Sequence, residues 1–124
     1  LEVLFIGGAD LTNDELSLAN KNGFKLRRLV LDDDELAVCL SAADVLVYPS
    51  TYEGFGLPPL EALAVGTAVV TTNSSSLPES VGDLAKFCDG RSIRDLAYAI
   101  TQAQSESWQE KVLSEGPKWA SNKT

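Results

Sequence analysis

Asp44-Val45-Leu46-Val47-Tyr48, Pro49-Ser50-Thr51-Tyr52-Glu53-Gly54-Phe55-Gly56, Leu57-Pro58-Pro59-Leu60-Glu61-Ala62-Leu63-Ala64-Val65-Gly66 and Thr67-Ala68-Val69-Val70-Thr71-Thr72 read in order as strand, loop, helix and strand. The first is a short apolar run of strand length ended by proline, the pattern of a strand buried in a parallel sheet. The loop is polar and glycine-rich. Pro58 and Pro59 suit the first turn of a helix, where an amide N–H has no partner to lose, and Gly66 supplies the stop. Strand, helix and strand in succession make a βαβ unit and imply parallel pairing.

Outward from this segment the alternation continues. Leu1–Ile6 reads as a strand buried on both faces and stopped by Gly7-Gly8. A helix is expected over 14–22, with Thr12, Asn13 and Asp14 as alternative caps and Gly23 as its stop. A second strand falls within Lys25–Leu31. Asp32-Asp33-Asp34 then caps a helix over 35–43, whose Leu36, Val38, Cys39, Leu40 and Ala43 fall mostly on one face. Beyond Thr72 come a connector at 73–76, a helical turn at 78–81, a last strand at 84–88 and an amphipathic helix over 92–104. That helix presents Ile93, Leu96, Ala97 and Ile100. A further helix at 108–113 is expected to break at Gly116-Pro117, and the tail from Ala120 is expected to fray. The fold class is therefore α/β: a Rossmann-like parallel sheet with helices on both faces. Ligands in such open sheets bind at the carboxyl ends of the strands. Here those ends lead into the loops after Ile6, Leu31, Tyr48 and Thr72.

Composition narrows the chemistry. The 124 residues carry 10 Lys and Arg against 18 Asp and Glu, a net charge of −8, which argues against nucleic acid as a partner. With 44% hydrophobic residues the chain is globular and long enough for one core. It has no histidine, which removes Ser-His-Asp and Cys-His hydrolases, histidine-ligated zinc and histidine proton relays. Cys39 and Cys88 are too few for a zinc knuckle or a disulfide framework and read as small core hydrophobes, which suits a reducing, cytoplasmic compartment. No apolar run approaches the ~20 residues of a membrane span. There is no methionine, so the chain is read as part of a longer polypeptide.

The loop from Ser50 to Leu57 has the residues for anion binding. Gly54 and Gly56 lack Cβ atoms, so the backbone can approach a diphosphate closely, and the following helix directs its positive dipole end there. Pro58 and Pro59 have no N–H, so the donors are those of Phe55, Gly56 and Leu57. Glu53 precedes the helix at the crevice mouth. Glu61, one turn in, is placed to accept hydrogen bonds from vicinal hydroxyls. The plainer alternatives are a solvated loop carboxylate for Glu53, a helix-surface charge for Glu61 and a hydrophobic plug for Phe55. Asn73, Ser74, Ser75 and Ser76 are either a plain connector or, from their place after a strand, sugar or phosphate contacts. Gly7-Gly8 reads as a turn, and Trp108 and Trp119 as packing residues.

Ala43–Ser50, Tyr52–Pro58, Leu60-Glu61-Ala62, Thr67–Val70 and Ser76–Asp83 together closely resemble the E-x7-E region of retaining GT-B glycosyltransferases of the family-four (group 1) type. The resemblance runs from about Leu1 to Asp95 and is most specific at 43–83. It implies the C-terminal, donor-binding half of a GT-B fold, without its first βαβ unit, spanning residues 1–124. By the resemblance, Glu53 is the catalytic residue that holds the donor sugar's hydroxyls, Glu61 binds the nucleotide ribose, and the base rests near Leu31. The substrate would be a nucleotide diphosphate sugar, of mannosyl or glucosyl type, with no cofactor and no metal. The acceptor would be held by an N-terminal domain of the same polypeptide. That family also carries a basic Arg and Lys pair in an earlier unit, which this chain lacks, and Ala68 stands where proline is common. A fragment without the pair would be inactive alone. A non-catalytic nucleotide-sugar-binding or interaction module is the alternative; a phosphorylase or epimerase of this fold is disfavoured by the lack of histidine. With the usual strand order the sheet would also lack its central strand, leaving a pair (Leu1–Ile6, Lys25–Leu31) and a triplet (44–48, 67–72, 84–88).

Overall fold

The computed structural model describes residues 2–48, 57–72, 79, 81–89 and 91–122. The expected loops at 49–56 and 73–76, and Pro78 and Ser80 of the expected turn at 78–81, lie outside them. The chain divides into two units, Leu1–Leu36 and Ala37–Thr124.

In the first unit, strand β1 (Glu2–Ile6) pairs in parallel with β2 (Lys25–Leu29), with Glu2 opposite Lys25 and Ile6 opposite Leu29. The helix between them, α1 (Asn13–Lys21), begins where the sequence signals it. Thr12 and Glu15 form a reciprocal capping box: Glu15 N–H donates to Thr12 Oγ1 at 3.1 Å and Thr12 N–H donates to Glu15 Oε1 at 2.8 Å. Gly23 ends the turn at φ +76°, a left-handed conformation that costs glycine nothing. Asp32 and Glu35 repeat the box at the start of α2 (Asp33–Ala42).

The second unit holds β3 (Val45–Tyr48), α3 (Leu57–Ala64), β4 (Ala68–Thr72), β5 (Ala85–Cys88), α4 (Ile93–Ala103) and α5 (Glu106–Ser121). Its strands are parallel in the order β3-β4-β5, with Tyr48 opposite Thr71 and Thr72 opposite Cys88. A two-stranded and a three-stranded sheet are thus present among the described residues, as expected. Parallel strands with helices on both sides make the fold α/β and Rossmann-like.

Burial corrects two of the sequence readings. Neither β1 nor β3 is fully buried: Phe5 and Ile6 are about two-fifths exposed and Val47 is 37% exposed. The strand buried throughout is β4, every residue of which is inaccessible. Among the described residues β4 alone is hydrogen-bonded to a strand on each edge, and helices α3, α4 and α5 pack against it. Two helix faces differ as well. Val38 on α2 is exposed while Leu40 is buried, and α4 packs through Ala99 and Ala103 while Ile93 and Ala97 face solvent.

The largest correction is at the C-terminus. The expected break at Gly116-Pro117 does not occur: α5 runs unbroken through both residues to Ser121, capped by Asn122, and Ala120 is buried rather than frayed. Pro117 has no N–H for the Leu113 carbonyl, a defect worth about 3 kcal/mol in an isolated helix. Tertiary packing offsets it. Val112, Gly116 and Ala120 form an inward stripe four residues apart, and Gly116 lies against α3 so closely that a Cβ there would stand 2.6 Å from the Leu63 carbonyl oxygen. Gly66, at φ +78°, ends α3 and abuts Leu113 of α5. The tryptophans pack as expected. Lys86 Nζ sits 3.8 Å above the Trp108 ring, and Trp119 covers Gly82.

Candidate functional site

In sequence, the candidate residues follow the carboxyl ends of the parallel strands. In the second unit, β3 ends at Tyr48, immediately before the loop that carries Ser50, Glu53, Gly54, Phe55 and Gly56; β4 ends at Thr72, immediately before Asn73 and Ser74. These seven candidates fall outside the described residues. The backbone of Leu57 opens α3, so the E-G-F-G run leads directly into a helix N-terminus. Along this eight-residue helix Pro59, Leu60, Ala62 and Leu63 are buried, which fixes its orientation on the sheet. Glu61 faces the other way and is exposed. The ion pairs among the described residues, Arg27–Glu2, Arg28–Asp10 and Arg91–Asp89, leave the Glu61 carboxylate uncommitted. Leu31, the candidate for base contact, is half-buried in the first unit just after β2.

In that unit the Gly7-Gly8 turn follows β1 with both residues at positive φ, +74° and +73°. Arg28 donates to the Gly8 carbonyl through Nε at 3.0 Å and Nη2 at 2.6 Å, and pairs with Asp10 at 3.3 Å. Its guanidinium therefore holds the turn together, consistent with the reading of this glycine pair as a turn.

The end of β5 has a different character. Asp89 N–H donates to Asp95 Oδ2 at 2.6 Å, Arg91 N–H donates to Asp89 Oδ1 at 3.0 Å, and Ser92 caps α4. The Arg91 backbone N–H, before its guanidinium, holds the Asp89 carboxyl below its ordinary range. Burial first, then the charges of Asp95 and Asp89, push the Cys88 thiol up, so it stays protonated and inert. An open hollow of about 460 Å³ lies here, lined by Asp89, Ser92, Arg94, Asp95 and Tyr98. Among the described residues no group of histidines, cysteines or carboxylates has the arrangement of a metal site, and no helix is long and apolar enough to cross a membrane.

Sequence reasoning passed over the hydroxyl contacts of β4 and its approach, among them that of Thr71. The Thr71 hydroxyl donates to the Tyr48 carbonyl at 2.9 Å, joining the last residue of β3 to the penultimate residue of β4. The signal was the Thr71-Thr72 pair closing an otherwise aliphatic strand.

Comparison with known proteins gives the lineage. Residues 4–118 match the family described as glycosyl transferases group 1. The O-antigen chain mannosyltransferase B of Escherichia coli is 44% identical over 85 residues, covering 68% of this chain and 22% of that protein. Sucrose-phosphate synthase from Thermosynechococcus elongatus superposes with a TM-score of 0.77 at 28% identity, over 96% of this chain and 33% of that one. The C-terminal domain of a group 1 glycosyl transferase, LpcC, from Francisella tularensis gives 0.73 at 24% identity, over 89% of this chain and 58% of that one, and speaks for the fold alone. The chain thus spans about a fifth of its curated relative's length. With residues 4–118 matched to that family, the chain belongs to the group 1 glycosyltransferases.

Proposed function

We propose that this chain is the donor-binding half of a retaining glycosyltransferase that takes a sugar from a nucleotide diphosphate sugar, with the acceptor held by an N-terminal domain of the same polypeptide. The observation that carries the proposal is the segment Glu53–Glu61, whose second part forms a helix with apolar residues inward and Glu61 outward at the strand ends. In this reading the amides of Phe55, Gly56 and Leu57 receive the diphosphate at the helix N-terminus. Glu61 accepts hydrogen bonds from the ribose hydroxyls, and Glu53 holds the hydroxyls of the sugar. The bond between the anomeric carbon and the diphosphate oxygen breaks, a bond to the acceptor oxygen forms on the same face, and the acceptor's proton passes to the leaving diphosphate. Backbone dipoles and a basic pair outside these residues meet the charge that develops, so no metal or cofactor is invoked. The E. coli relative's name makes a mannosyl donor the first to test. A cytoplasmic setting suits the two free thiols.

Titration with nucleoside diphosphates, GDP and UDP in turn, followed by NMR is expected to move the amides of Phe55, Gly56 and Leu57 first; shifts confined to the Trp108 region refute the assignment. In the complete enzyme, Glu53→Ala is expected to lower kcat far more than it weakens donor binding, because its contacts strengthen as the glycosyl bond breaks. Glu61→Ala is expected to raise the donor KM instead. Wild-type kinetics in both variants would overturn the roles.

A further inference from the structure

We infer that the hollow at the carboxyl end of β5 is a saccharide subsite that takes an uncharged sugar residue of the acceptor glycan: Tyr98 is the platform for the ring, and Arg94, Asp89 and Asp95 hold its hydroxyls. The subsite stands on its own geometry; that its sugar belongs to an acceptor rests on the function proposed above. The hollow, of about 460 Å³, is within the size range of small-molecule sites. It lies where a parallel strand leads into a helix, the end at which open α/β sheets take ligands.

Folding accounts for part of the wall. Ser92 caps α4 by accepting from the Asp95 N–H at 3.1 Å, and Asp95 accepts from the Asp89 N–H. Folding does not account for Tyr98 and Arg94. Tyr98 leaves a large ring 61% exposed, and its hydroxyl accepts from Gln102 Nε2 at 3.0 Å, one turn along α4, which restrains the ring. Arg94 is exposed, and among the described residues it has neither an ion pair nor a hydrogen-bond partner for its guanidinium.

The atoms on offer select the ligand. Arg94 presents a fork of N–H donors, and the Ser92 hydroxyl still has its hydrogen to give. Within the turn Asp89 accepts through Oδ1 and Asp95 through Oδ2, which leaves a further acceptor oxygen on each. Arg91, first through its backbone N–H, keeps Asp89 ionised, and its guanidinium pairs with that carboxylate at 3.4 Å. Two guanidiniums thus accompany two carboxylates, and the balance favours neither an anion nor a cation. Donors and acceptors side by side suit vicinal hydroxyls, which both give and accept hydrogen bonds. A pyranose also has an apolar C–H face, to which the negative face of a tyrosine ring is complementary. Because the hollow is open, it suits a residue within a chain, whose neighbours continue into solvent.

The test titrates mannotriose and maltotriose into the full chain and follows the amides by NMR. One of the two is expected to move the amides from Asp89 to Tyr98. Tyr98→Ala and Arg94→Ala are each expected to weaken that binding about fivefold, the range of one net contact, and Tyr98→Phe to stay within about twofold. Both truncated side chains are exposed, so the melting temperature is expected to stay at the wild-type value. Unmoved amides over 89–98 with both saccharides overturn the inference, as does binding that survives both alanine variants. Equal shifts there with glycerol, or shifts there with inorganic phosphate, GDP or UDP in place of the saccharides, overturn it as well. Saccharide binding here while GDP and UDP bind nowhere upholds the subsite and refutes the donor reading. Nucleotide binding at Phe55–Leu57 without saccharide binding refutes the subsite alone.

Discussion

Gly116→Ala provides the most direct check on how the second unit is held together. In an isolated helix the change is favourable, because alanine loses less backbone entropy than glycine, by about 1 kcal/mol. Here the new Cβ would stand 2.6 Å from the Leu63 carbonyl oxygen and 3.4 Å from its carbon. The obstacle is backbone, which cannot rotate aside as a side chain does, so α3 and α5 must separate by a sizeable fraction of an ångström. Both helices are packed on buried residues, Leu63 on one side and Val112 and Ala120 on the other, and those contacts loosen with the shift. Overpacking of this kind costs about 3 kcal/mol at the upper end of its usual range. Less the propensity gain, the net loss is about 2 kcal/mol. For a chain of this length that lowers the melting temperature by roughly 6–12 °C. Thermal unfolding followed by circular dichroism would measure it, with Ser114→Ala, at an exposed position two residues earlier, as the control expected to hold or slightly raise stability. A Gly116→Ala protein as stable as wild type, or more so, would refute the close packing of α3 on α5.

Two further outcomes follow from local chemistry. Thr12→Ala removes the side-chain half of the α1 capping box and should cost about 1 kcal/mol, seen as a lower urea midpoint with an unchanged slope. Because burial raises the Cys88 thiol above its ordinary 9.0, the protonated form is favoured by folding; its contribution is complete below that value and is lost as pH rises through the folded pKa. Stability should therefore fall in alkaline solution less steeply in Cys88→Ala than in wild type, and iodoacetamide should label Cys39 well before the buried Cys88.

The elements that sequence alone determined are those whose signals lie within a few residues of one another. Thr12 with Glu15 and Asp32 with Glu35 mark helix starts because each cap bonds an amide only three positions away. Gly23 and Gly66 mark helix ends because a left-handed turn is a property of one residue. The aliphatic runs at 45–48 and 68–72 mark strands, and Pro58, Pro59 and Gly66 bound the helix between them, on which Glu61 is exposed. Tertiary structure decided what depends on distant partners. Phe5, Ile6 and Val47 are as apolar as Val69 and Val70, yet among the described residues only β4 has a hydrogen-bonded strand on each edge and three helices packed against it, so it alone of these strands is fully covered. The penalty of Pro117 is written in the local sequence, whereas the packing of Gly116 on Leu63 that outweighs it joins residues more than fifty positions apart. Thr71 looks like any strand threonine until Tyr48 is brought opposite it, because a side-chain hydrogen bond across a sheet is fixed by register, and register is set by the packing of the whole sheet.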